Sequence, residues 1–168
     1  KLFERAEDHI KKKEYDKALK LLLELTQSDP KDYVAWTELG LGYSNSQDYG
    51  NAECAYAKAI ELKATFLAAM VNLAKLRMMR KNYEGAAEVL TKAVESNSSC
   101  AECHFLLAEC HLQLKKGSKA VLHFGEALKL DPVRMADAHL RMALLYNAAG
   151  LKSKAAEEYE EFLKRKPD

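Results

Sequence analysis

The sequence predicts an all-α chain built as an array of five helix pairs. Two observations carry this. Ala18, Ala52, Ala86, Ala120 and Ala155 stand 34, 34, 34 and 35 residues apart, and a fixed period of this size marks a repeat array. Within each period, apolar residues recur at helical intervals in both halves, with no alternating strand pattern.

Five units follow in order: 1–32, 33–66, 67–100, 101–135 and 136–168. The first places Ala6 on one helix and Ala18, Leu22 and Leu25 on the next; Lys11-Lys12-Lys13 ends the earlier helix, where cations are favoured. The second is the clearest, with Trp36, Leu39-Gly40 and Tyr43 in its first half and Ala52, Tyr56, Ala59 and Ile60 in its second. Its polar break is Asn45-Ser46-Gln47-Asp48, and the next three breaks are Arg80-Lys81-Asn82, Lys115-Lys116-Gly117-Ser118 and Gly150-Leu151-Lys152-Ser153. With Trp36 set at the fourth position, the eighth carries Ala6, Gly40, Ala74, Ala108 and Ala143. The twenty-fourth carries Leu22, Tyr56, Leu90, Phe124 and Tyr159. Small residues at the eighth and twentieth positions let paired helices approach, and the large ones fill the remaining space. Pro30, Pro132 and Pro167 close units, because proline cannot continue a helix. The extra residue of the last spacing falls in Asp131-Pro132-Val133-Arg134-Met135, a loop that absorbs it, so the fifth unit aligns from Ala136.

These columns resemble the tetratricopeptide repeat, with its W-x2-L-G-x2-Y, then A-x3-F and A-x4-P. The resemblance covers almost the whole chain and implies a single domain, a right-handed α-solenoid whose first helices line a concave groove. It also implies a non-catalytic scaffold that binds a peptide or helix of a protein partner. Carried onto this chain, the groove comprises Glu38, Leu41 and Asn45 of the second unit and Val71, Asn72, Lys75, Met78 and Met79 of the third. The fourth gives Glu102, Phe105, Leu106, Glu109 and Leu112, and the fifth Leu140, Arg141 and Leu144. Such an apolar face marks a binding site. Its charges lean acidic, with Glu38, Glu102, Glu109 and Asp137 against Lys75 and Arg141, so an apolar partner with basic residues is expected. A clamp for the acidic tails of heat-shock chaperones fits in no frame; Asn72 and Arg141 match it singly.

Other readings attach to smaller features. Cys100-Ala101-Glu102-Cys103-His104 has the form C-x-x-C-H, used for covalent haem attachment, and Cys110-His111 adds further soft ligands for a metal. Against this, His104 and His111 occupy the large fourth and eleventh positions of the repeat, and buried cysteine behaves as a small hydrophobe. No cofactor is therefore expected. An oxidising compartment would permit a Cys100–Cys103 disulfide. No compartment is named by the sequence, and Cys54, isolated inside a helix, leans towards a reducing one, the cytoplasm. No catalytic motif occurs, a net charge of +1 without a basic stripe disfavours nucleic acid, and no apolar run is long enough for a membrane span. The chain starts two positions into a unit and is expected to be a piece of a longer protein. Tyr159, Phe162 and Leu163 near its end suggest either a further capping helix or end-to-end self-association.

Overall fold

The computed structural model describes residues 1–166 and is helical throughout, with no strand among the described residues. Its helices are α1 (Leu2–Lys11), α2 (Tyr15–Ser28), α3 (Tyr33–Asn45), α4 (Tyr49–Leu62), α5 (Leu67–Met79), α6 (Tyr83–Ser96), α7 (Ala101–Gln113), α8 (Gly117–Leu130), α9 (Asp137–Ala148) and α10 (Lys152–Arg165). They fall into two compact units, one from Lys1 to Arg80 and one from Lys81 onward. Within each unit, every helix packs on its neighbours in sequence. Pro167 lies outside the described residues.

Within each compact unit, the turns inside helix pairs reverse the chain in the same way. Lys13, Gln47, Lys81, Lys115 and Gly150 all have φ between 58° and 76°. At Gln47 the motif is complete: Asp48 N–H donates to the Tyr43 carbonyl at 2.9 Å and Gln47 N–H to that of Ser44 at 3.1 Å. Lys13, Lys115 and Gly150 repeat this pair of bonds, which satisfies carbonyls that the helix end leaves open. Helix starts are capped from the side chain where the sequence supplies an acceptor. Asp32 accepts the N–H groups of Val34 and Ala35, Asp48 that of Asn51, and Asn82 that of Gly85.

In the first unit the core gathers Ala6, Leu22, Leu39 and Ala55, with Trp36 and Tyr43 packed against it. Gly40 exists there for a steric reason: a Cβ at this position would lie 2.6 Å from Cδ1 and Cε1 of the Tyr56 ring. In the second unit Ala108, Ala120, Phe124, Ala138 and Met142 form the corresponding cluster. The five alanines that set the period are all buried. Before α9, the backbone N–H of Arg134 donates to Asp131 Oδ1 at 3.1 Å, and the added residue is absorbed with Met135 and Ala136 turned inward.

Candidate functional site

In the first unit α3 and α5 touch, so the first helices of successive repeats lie side by side. Of the residues expected on their outer faces, none is buried. Met79 is 55% exposed, Asn45 and Lys75 are exposed, and Glu38, Leu41, Val71, Asn72 and Met78 are half-buried. α5 is tied to α4 by Arg77, whose Nη2 and Nε donate to Glu53 Oε1 at 2.9 and 3.1 Å. Burial, and secondarily the Glu7 carboxylate, push the Glu38 carboxyl above its ordinary range.

In the second unit the matching face comes from α7 and α9. Glu102, Leu106, Glu109, Leu140 and Arg141 are half-buried, and Leu144 is 49% exposed. Arg141 Nε donates to Glu109 Oε1 at 2.7 Å, joining the two helices across the face. Asp137 is likewise engaged, accepting from Lys166 Nζ at 2.8 Å. Glu109 and Asp137, both expected to tilt this surface negative, are thus already matched by cations of the chain. Phe105 and Leu112 have a second job. Both pack against the core cluster, and Phe105 meets Phe124 edge-on, ring centroids 5.4 Å apart. Near the C-terminus, Phe162 is half-buried and Leu163 exposed.

The cysteines and histidines of the second unit form a separate constellation. Cys100 and Cys103 are joined in a disulfide. Next to it three imidazoles stack: His123, from α8, lies between His104 and His111 of α7, with centroids 5.4 and 5.6 Å away. His104 Nε2 faces the Ser98 carbonyl at 3.2 Å, so this nitrogen carries the proton. Its Nδ1 is then an acceptor, and the His123 Nδ1–H donates to it over 3.1 Å. His111 Nδ1 is buried without a partner. No spacing in the sequence singles out His123, because only the packing of α8 on α7 brings it to His104 across 19 residues of chain.

This arrangement does not fit a haem. Beyond the two thiols that attach the group, the motif needs a free imidazole nitrogen to ligate the iron, and both nitrogens of His104 are engaged. No three His, Cys, Asp or Glu side chains among the described residues are grouped to hold a metal ion. Burial, with the Glu109 charge second, pushes the Cys110 thiol up to about 12, so it serves as an inert core residue. No helix among the described residues is long and apolar enough to cross a membrane.

Comparison with known proteins follows the same repeat. A family model described as tetratricopeptide repeat matches residues 116–168, and one for anaphase-promoting complex, cyclosome, subunit 3 matches residues 45–127. A peroxisomal targeting signal receptor from Candida glabrata is 33% identical over 81 residues, 48% of this chain but 14% of that protein. The present chain thus spans a small part of that relative. Among solved structures, MamA from Desulfovibrio magneticus RS-1 superposes with a TM-score of 0.88 at 19% identity, covering 99% of this chain and 93% of that one. YrrB, described as a TPR protein with an unusual peptide-binding site, gives 0.82 at 21% identity, covering 99% and 86%.

Proposed function

Because this chain belongs to the tetratricopeptide-repeat family, we propose that it is a non-catalytic protein-binding module that takes an amphipathic helix or extended segment of a partner on the outer faces of its first helices. One observation carries the reading. On the first-helix faces apolar side chains cluster with one well-exposed member in each unit, Met79 on α5 beside half-buried Met78 and Leu144 on α9 beside half-buried Leu140. Methionine adapts its shape to different partners, which suits a binding face. The targeting-signal receptor and the peptide-binding YrrB support a role of this kind.

The chemistry of the face describes the ligand. Apolar anchors dominate, because Glu109 and Asp137 already have cationic partners. Glu38 is different: its carboxylate is disfavoured by burial and by Glu7, so a partner Lys or Arg beside it relieves both.

The test is selection of displayed peptides on the intact chain, followed by binding to Met79→Asp and Leu144→Asp. Both side chains are exposed, so the substitutions leave the core alone, whereas Phe105→Asp would also damage it. We expect selected peptides to be rich in apolar residues with Lys or Arg, and to lose at least tenfold in affinity to one of the variants, about 1.4 kcal/mol. Binding to both variants as tight as to the wild type, with helicity intact, would refute these faces as the site.

A further inference from the structure

A docking module has no use for the Cys100–Cys103 bridge, and the bridge is poorly suited to stapling the fold. It spans only 3 residues in sequence, and short loops restrict the unfolded chain least. Its setting favours chemistry instead. Cys100 is the N-cap of the 13-residue α7, and its Sγ accepts the backbone N–H of Cys103 at 3.1 Å. The two residues differ in access, since Cys100 is half-buried and Cys103 is 0% exposed. The approach to the helix is held in place, with Cys100 N–H on the Asn97 carbonyl at 3.2 Å and His104 Nε2–H on that of Ser98.

We propose that Cys100–Cys103 is a reversible thiol–disulfide centre that exchanges with low-molecular-weight thiols, with Cys100 as the reacting sulfur and Cys103 as the resolving one. The thiolate RS⁻ attacks Sγ of Cys100, the residue of the pair that is not fully buried. The Cys100–Cys103 bond breaks, a mixed disulfide forms on Cys100, and Cys103 takes up the proton that RSH released. A second RS⁻ attacks the sulfur of R in that mixed disulfide. RSSR leaves, and Cys100 departs as a thiolate that later gains the second proton. Two thiols are oxidised to one disulfide, and the protein bridge is reduced to two thiols. The α7 terminus assists where it matters: the Cys103 N–H and the helix dipole stabilise negative charge on Cys100, and a stabilised thiolate is the better leaving group. Although Glu102 of the candidate docking face lies within the bridged segment, thiol exchange is read by mass with no partner present, so its failure and that of the docking reading are distinguishable.

The experiment uses the full chain with Cys54→Ser, which removes the exposed free thiol. The protein is equilibrated with reduced and oxidised glutathione at graded ratios, trapped by alkylation and read by peptide mass, with helicity followed in parallel. We expect the bridge to open and close across the series with helicity unchanged. In Cys103→Ala, oxidised glutathione should add to Cys100. In Cys100→Ser, which keeps a capping acceptor, Cys103 should stay unmodified until the chain is unfolded. The reduced Cys100 should be alkylated at pH 7 roughly fivefold to tenfold faster than the same cysteine in urea. A bridge that resists glutathione until the protein unfolds would overturn the proposal. So would equal modification of Cys103 in the folded Cys100→Ser protein.

Discussion

Replacing Gly40 by alanine should destabilise the first unit, although it improves the helix. On propensity alone alanine gains about 1 kcal/mol over glycine inside a helix such as α3. The structure opposes this, because the new methyl would sit 2.6 Å from two carbons of the Tyr56 ring, where ordinary contact begins at 3.4 Å. The ring must give by nearly an ångström, and at 1% exposure it is enclosed. Overpacking of this kind costs about 1–3 kcal/mol, so Gly40→Ala should lose up to about 2 kcal/mol, or roughly 4–8 °C in melting temperature for a chain of this length. The decisive measurement is a double-mutant cycle with Tyr56→Leu, followed by urea denaturation. Leucine opposite alanine already occurs in this core as Leu22 and Ala6. In the Tyr56→Leu background Gly40→Ala should therefore stabilise, and the coupling between the two sites should equal the steric cost, about 1–3 kcal/mol. A coupling below about 0.5 kcal/mol, within the scatter of independent sites, would show that the Tyr56 ring does not occupy the space above Gly40.

Two further perturbations probe the second unit. His111 and His123 are both held below the ordinary imidazole value, mainly by burial; Lys119 and Lys116 add to this for His111, and His104, His111 and Lys119 for His123, while Glu126 opposes it. The unfolded chain then binds protons more readily than the folded one, so stability is complete above about pH 7 and declines as pH falls through the unfolded value near 6.5. Urea midpoints compared between wild type and His123→Gln from pH 7.5 to about 5.5, above the carboxylate range, should show the shallower decline in the variant; parallel curves would refute the assignment. At Gly150, with φ at 76° and no atom within 4 Å of where a methyl would stand, Gly150→Ala isolates the backbone penalty. It should cost about 1–2 kcal/mol, Gly150→Asn should cost less, and a neutral Gly150→Ala in denaturation would mean that the turn is not left-handed there.

The helices and their pairing could be read from the chain because the repeat restates them. Ala18 to Ala155 recur at the period, and the polar breaks that hold Asp48 and Asn82 separate the paired helices. The left-handed turn residues could not be read. Only Gly150 signals such a conformation, while Lys81 adopts it without a glycine, as do Lys13, Gln47 and Lys115, where a pair of backbone bonds closes the helix end. The candidate faces were half legible. Helical spacing put Leu144 and Met79 outward, but Phe105 lies at the border between face and core, and its ring was claimed by Phe124. The pairing of Glu109 with Arg141 depends on how α9 is set beside α7, which neither helix encodes alone.

That pairing has a kinetic meaning. A surface whose charges already answer one another casts little field into solution, and partners are not drawn to it from a distance. A partner docking, as proposed, on the face built by α7 and α9, with Glu109 held by Arg141 and Asp137 by Lys166, should be met by diffusion and retained by fit. Association there belongs to the unsteered regime of about 10⁵–10⁶ M⁻¹s⁻¹ and should change little with ionic strength. Selectivity among partners would then reside in how long each one stays.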